Sequence, residues 1–263
     1  MEIVITENFN IATQMAAGII KRAILRKKNL VLGLATGKTP LLLYSELIGL
    51  HKNEELDFSG ITSFNLDEYV GLPEDHPSSY AHYMKNNLFD HINVNRDCVH
   101  VPDGMAQDFD RYAGEYEAEI GKAGGIDLQI LGLGEDGHIG FNEPSSSLAS
   151  RTRIKTITES TLRANSKYFK NMDEQPRHVI TMGVGTILDA RQIIVLAEGG
   201  KKASAVARMI EGPVSAMSPA SALQLHPGVT VFIDEKAGKK LKLKKYYKWV
   251  YENDLPPRKY DLP

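Results

Sequence analysis

LVLGLATGKTP, Leu30–Pro40, sets an apolar run against a loop of glycine and threonine and closes on proline. Leu30–Leu34 has the length and composition of a strand buried on both faces. Thr39-Pro40 reads as a helix start, an N-cap residue followed by proline at the first helical position, and Ser218-Pro219 repeats the device. Working outward, the same alternation continues in both directions. Strands are predicted at Glu2–Ile5, Ile61–Asn65, Leu128–Leu133, Arg177–Met182, Gln192–Ala197 and Val229–Ile233. Apolar residues at three-to-four spacing predict helices over Ile11–Leu25, Pro40–Leu50, Tyr112–Ile120 and Ala203–Ile210. This order specifies an α/β fold, a largely parallel sheet with helices on both faces. With no repeat, low-complexity tract or Pro/Gly/Ser linker, residues 1–263 read as a single domain, with a basic and aromatic helical segment at Lys239–Tyr251.

Composition narrows the function classes. The 263 residues carry a formal net charge of −2, so no overall field draws the chain to nucleic acid or an anionic membrane. No run approaches the ~18 apolar residues of a membrane span, and MEIVITENFN lacks the pattern of a secretory signal. A cytoplasmic location is expected. Cys98 is the single cysteine, which excludes an intrachain disulfide and a thiolate cluster. Asp97–Val101 predicts the start of a short buried strand, with Cys98 structural.

In open α/β sheets the chemistry sits beyond the carboxyl ends of the strands, which directs attention to three loops. After Leu34, backbone N–H groups around Gly37 and the helix start at Pro40 suit an anion, and Thr36, Lys38 and Thr39 add side-chain donors. Gly33 and Gly37 are separated by three residues where a nucleotide-binding P-loop needs four, so nucleotide hydrolysis is disfavoured. After Asn65, Asp67 and Glu68 form an acidic pair. A carboxylate there, shielded by Tyr69 and Leu72, suits proton abstraction beside a carbonyl or imine carbon, and Asp67 is the nearer to the strand end.

The third loop is LGLGEDGHIGFNEP, Leu131–Pro144. Gly132, Gly134 and Gly137 match a dinucleotide fingerprint, but Glu135 and Asp136 would face the pyrophosphate and Pro144 interrupts the helix that should follow. Asp136, His138 and Glu143 offer a single imidazole, a poor zinc set, leaving an oxygen-rich magnesium site as the metal alternative. The favoured reading is a proton relay in which His138 exchanges protons with a sugar hydroxyl and Asp136 or Glu143 fixes its tautomer.

Together these segments resemble the glucosamine-6-phosphate deaminase (isomerase) family. FNLDEYVGLP, Phe64–Pro73, and LGEDGHIGFNEPSSSLASRTR, Leu133–Arg153, carry the resemblance most specifically. It implies a Rossmann-like fold and conversion of glucosamine 6-phosphate and water to fructose 6-phosphate and ammonia. His138 would open the pyranose, assisted by Asp136 and Glu143, and Asp67 would move a proton between C2 and C1. No metal or organic cofactor is implied. Thr36, Gly37, Lys38 and Thr39 would hold the phosphate with Lys202 and Lys167; the family often has arginine where Lys167 stands and a small residue at Lys38. Ser146, Arg153 and Lys155 match positions that bind an N-acetylated sugar phosphate in regulated members, where the C-terminal segment adds an aromatic residue, here Tyr246, Tyr247 or Trp249. A homo-oligomer is implied, hexameric in regulated bacterial members.

The nearest rival is a 6-phosphogluconolactonase, which shares the fold and the histidine loop but needs no carbon-acid base; Asp67–Leu72 and Phe141–Pro144 favour the deaminase. A sugar-phosphate-sensing domain is a second rival. No DNA-binding segment is seen ahead of the domain, and a sensor has no use for the acid/histidine set.

Overall fold

The computed structural model describes residues 1–166, 169 and 174–253. Seven parallel strands form the main sheet: β1 (Glu2–Thr6), β2 (Val31–Leu34), β3 (Thr62–Asn65), β5 (Val99–His100), β6 (Leu128–Gly132), β9 (Gln192–Ala197) and β10 (Val229–Asp234). Their spatial order is β1-β10-β9-β6-β2-β3-β5, so the chain grows one way from β2 and the other way from β6. Between β2 and β6 the winding reverses, leaving a crevice above their carboxyl ends.

Alternate strand residues feed two cores. On one face Leu32, Leu34, Ile130, Leu196 and Phe232 pack with Ala16 and Ile20 of α1 (Phe9–Arg26) and Leu43 and Leu47 of α2 (Pro40–Glu54). On the other, Val31, Leu131, Val195 and Val231 meet Tyr116 and Ile120 of α4 (Phe109–Lys122) and Val206 and Met209 of α7 (Ala203–Glu211). Phe9, Ala12, Thr13 and Ala16, at i, i+3, i+4 and i+7 of α1, are all buried, which is why that segment is a helix and lies where it does. Asn8 begins it by accepting the Ile11 N–H.

A second, three-stranded antiparallel sheet was not foreseen. It contains β4 (Asp67–Tyr69), β7 (Arg153–Thr156) and β8 (His178–Thr181) in the order β4-β8-β7. The run predicted at Arg177–Met182 therefore belongs here and not to the parallel sheet. Leu66 joins the two sheets: its N–H donates to Leu34 O at 3.0 Å, and its carbonyl accepts from Met182 N at 2.7 Å.

Three smaller expectations are corrected. Cys98 is half-buried on a 3-10 turn before β5, because that strand is the sheet's edge and only two residues long. Thr39 and Ser218 make no side-chain capping bond, and Pro219 opens a 3-10 helix, Pro219–Leu225. The C-terminal helix is α8, Lys244–Asn253, with a separate 3-10 turn at Ala237–Lys240 taking up the start of the predicted segment. α3 (Tyr80–Asn87), α5 (Glu159–Asn165) and α6 (Val184–Leu188) complete the helices named here. Among the described residues, no helix is long and apolar enough to cross a membrane.

Candidate active site

The crevice at the winding reversal is a cavity of about 720 Å³, large enough for a phosphorylated hexose. Three groups of residues converge on it. Ala35–Thr39 come from the loop after β2, Asp67 and Tyr69 from β4, and Gly132–Asp136 with His138 from the loop after β6; Lys201 and Lys202 close one end.

Gly37 has φ of +99° and nothing within 4 Å of where a Cβ would be, so the peptide turns there against open space. Two tyrosines fix the loop. Tyr83 Oη donates to Gly37 O at 2.6 Å and Tyr44 Oη to Ala35 O at 2.5 Å, which ties the carbonyls back. Thr36, Lys38 and Thr39 line the cavity beside Gly37, and Lys202, at the start of α7, lines it too. Burial lowers the Lys202 ammonium, against the pull of Glu135 and Asp136. Lys167, also expected here, lies outside the described residues.

Asp67 and Glu68 separate cleanly. Glu68 is buried and its carboxylate accepts the N–H groups of Tyr69, Tyr80 and Ala81 at 2.8–2.9 Å, which pins the first turn of α3. Burial pushes Glu68 to about 7, with those three donors opposing it. Asp67, 4% exposed, lines the cavity instead, and no hydrogen bond among the described residues reaches its carboxylate. Burial, reinforced by the Glu68 charge, pushes Asp67 to about 8. Tyr69, Tyr80 and Phe141 form the aromatic wall that excludes water from this side.

The glycine loop after β6 turns on Gly137 (φ +97°) and Gly140 (φ +56°). It places His138 Nδ1 2.7 Å from Asp136 Oδ1. The His138 backbone N–H also donates to Asp136 Oδ1 at 3.1 Å. Burial raises the Asp136 carboxyl, but these contacts outweigh it and hold Asp136 below its usual range. Glu143, 3% exposed, stands behind the cavity surface and accepts from Thr158 N, Thr158 Oγ1 and Thr161 Oγ1 at 3.0, 2.7 and 2.5 Å. One nitrogen or oxygen from each of Asp136, His138 and Glu143 lies within 4.8 Å of the others. With three donors already on Glu143 the trio offers a cation few open ligand positions, so its chemistry fits proton transfer better.

Ser146, Arg153 and Lys155 stand apart from the cavity. Ser146 is buried, while Arg153 and Lys155 occupy alternate positions of β7 and are half-buried. Burial lowers the Arg153 guanidinium. Arg153 pairs with Thr181, which pairs in turn with Asp67, so one row of the small sheet runs from Arg153 to Asp67.

Sequence reasoning missed the tyrosines that brace the loop after β2, the Thr158–Thr161 pair and Lys201. Only Thr158 carried a local signal, as an N-cap residue three positions before Thr161. The tyrosines act across the fold and left none.

The profile of a family described as glucosamine-6-phosphate isomerases/6-phosphogluconolactonase matches residues 8–232. The chain belongs to this family. Among its similar members, the glucosamine-6-phosphate deaminase of Hahella chejuensis is 51% identical over 255 residues, covering 97% of each chain. That of Thermoanaerobacter pseudethanolicus is 50% identical over 237 residues, 90% of this chain and 94% of its own. A solved structure described as a monomeric glucosamine-6-phosphate deaminase superposes with a TM-score of 0.89 at 43% identity, covering 91% of this chain and 100% of that one. A 6-phosphogluconolactonase from Leishmania guyanensis, at 22% identity and TM-score 0.71, covers 90% of this chain and 97% of its own, and shares the family's fold.

Proposed function

We propose that the protein converts glucosamine 6-phosphate and water to fructose 6-phosphate and ammonia. The observation that carries this reading is a buried Asp67, its carboxylate without a hydrogen bond among the described residues, lining the same cavity as the Asp136–His138 pair. Ring opening and carbon-acid chemistry then have separate proton carriers. The deaminase relatives at about 50% identity over nearly the whole chain support it.

The phosphate binds on Thr36–Thr39, with Lys202 and Lys167 as its cations. His138 takes the proton of the C1 hydroxyl and returns it to the ring oxygen, breaking the C1–O5 bond and leaving the open-chain aldehyde. Asp136 and Glu143 orient the ring and stabilise its charged form. Asp67 then removes the C2 proton while the C2 ammonium gives one of its protons to O1, leaving an enolamine, and Asp67 delivers its proton to C1, forming a protonated imine at C2. Water adds there and ammonia leaves. Asp67, at about 8 in the free cavity, is driven to its ionised form by the substrate's C2 ammonium. We also propose a cytoplasmic location and a homo-oligomeric assembly, the assembly being read by gel filtration with light scattering. Ser146, Arg153 and Lys155 are proposed as an effector site for N-acetylglucosamine 6-phosphate, and the Arg153–Thr181–Asp67 row supports its coupling to the base. Hyperbolic kinetics untouched by that compound would remove it.

The test is ammonia release from glucosamine 6-phosphate by purified protein without added metal. Absence of ammonia, with sugar-phosphate binding retained, rejects the deaminase reading in favour of a sensor.

A further inference from the structure

Glu143 has three donors, and all of them come from the first turn of α5 and its cap. Thr158 provides both its N–H and its hydroxyl, and Thr161 provides a second hydroxyl. Thr158 is exposed, whereas Thr161 is buried and lines the cavity with Ser160, so the turn covers the Glu143 carboxylate beside the cavity. A carboxylate 3% exposed and near a second one, Asp136, keeps one direction only while its oxygens are occupied. Glu143 cannot be oriented from its own loop: the contacts it receives there are to its backbone, Glu143 N–H to Phe141 O and Ser146 N–H to Glu143 O.

The far end of α5 is tied as well. Asn165 Nδ2 donates to Tyr69 Oη at 3.0 Å, and Tyr69 is two residues from Asp67 on β4. Seven residues are too few for a helix to hold itself together in water. α5 therefore owes its place to contacts at both ends, one with the relay and one with the strand of the base.

We propose that Thr158 and Thr161 are positioning residues for ring opening: their hydroxyls aim the Glu143 carboxylate at His138, and α5 holds the relay aligned with the strand that carries Asp67. The proposal rests on the ring-opening role given to His138. Neither threonine moves a proton to or from the sugar; each acts through Glu143.

Thr161→Val keeps the shape and removes the hydroxyl. It is expected to lower kcat for ammonia release about ten-fold or more, the effect of losing a hydrogen bond to a charged group. Affinity for the reduced open-chain amino-alditol phosphate, which needs no ring opening, should stay within about two-fold of the parent. Thr161→Ser should restore kcat, and Thr158→Ser should retain it, since both keep the hydroxyl. If Thr161→Val folds with kcat unchanged, or if the open-chain compound loses affinity in step with kcat, the proposal is overturned. NMR of the His138 ring reads the clamp without turnover: Thr161→Val should move its resonances and Thr161→Ser should not. Unmoved resonances overturn the clamp whether or not the parent is a deaminase. Moved resonances in a parent that releases no ammonia support the clamp and reject the deaminase reading alone.

Discussion

A methyl group at position 134 would fall 2.3 Å from His138 Nδ1, 2.4 Å from Cε1 and 2.5 Å from Cγ. Ordinary contact begins near 3.4 Å, so Gly134→Ala forces the imidazole back by about 1 Å or more. The backbone at 134 is not left-handed, so alanine itself is accommodated and the ring takes the displacement. Nδ1 then leaves its 2.7 Å contact with Asp136 Oδ1, and the relay loses both alignment and the partner that stabilises the charged ring. A misplacement of about 1 Å in a reacting group costs on the order of 100-fold in rate. The expected outcome is a fall in kcat of about that size, measured as ammonia release, with binding of the open-chain amino-alditol phosphate retained. Gly114→Ala is the matched control: it sits in α4 with nothing within 4 Å of its new methyl. It should leave kcat unchanged and add about 0.5–1 kcal/mol of stability. A folded Gly134→Ala enzyme with kcat within about three-fold of the parent would refute the placement of His138 in the relay.

Further outcomes follow from the same geometry. Asp67→Asn should abolish exchange of the C2 hydrogen with solvent while substrate still binds, and exchange at the parental rate would remove Asp67 as the base. Because the folded state raises Asp67 from about 4 to about 8, it binds this proton more tightly than the unfolded chain, and the parent loses stability as pH rises between those values. The Tm of Asp67→Asn should therefore pull ahead of the parent's from pH 4 to 8, which calorimetry reads directly. The same ionisation gives kcat/KM an acid limb approaching pH 8, with the kcat limb displaced lower by the bound ammonium. Lys202→Ala should raise KM by about ten-fold or more with a smaller effect on kcat, as loss of a charge-assisted phosphate contact does. Asp127, buried and holding Lys27, Arg191 and the Val31 N–H at the opposite end of the sheet, is a structural contrast. Asp127→Ala should lower stability by about 2–3 kcal/mol in denaturant melts and leave kcat intact.

Periodicity carried most of the parallel sheet, since β2, β6, β9 and β10 are apolar runs bounded by turn residues. Gln192–Ala197 was bounded correctly at both ends. The small antiparallel sheet was illegible for a physical reason. β4 is Asp-Glu-Tyr and β7 is Arg-Ile-Lys-Thr, short polar strands whose existence depends on partners distant in the chain. The residues proposed as proton carriers stood out because they closely follow apolar strands, where position alone gives a reason for acids and histidine. What held them was not. Glu68 and Asp67 are neighbours of one charge type, and only the fold shows that one caps α3 while the other faces the cavity. Thr158 and Thr161 read as an ordinary helix start until Glu143 is brought beside them.

The junction at Leu66 also sets an order of assembly. Two of the three buried apolar clusters belong to the parallel sheet and its helices, and the small sheet adds Tyr69 and Val179 to the third, much smaller one. The small sheet must gather three brief segments from widely separated parts of the chain, and closing such loops is favourable only once the larger body has already brought their ends near. Asp67 therefore reaches its water-poor position as a late event, after the scaffold that carries His138 is in place. A refolding chain is expected to recover its helical signal before Asp67 reaches the cavity. Maturation of the catalyst is thus a separate act from formation of the fold.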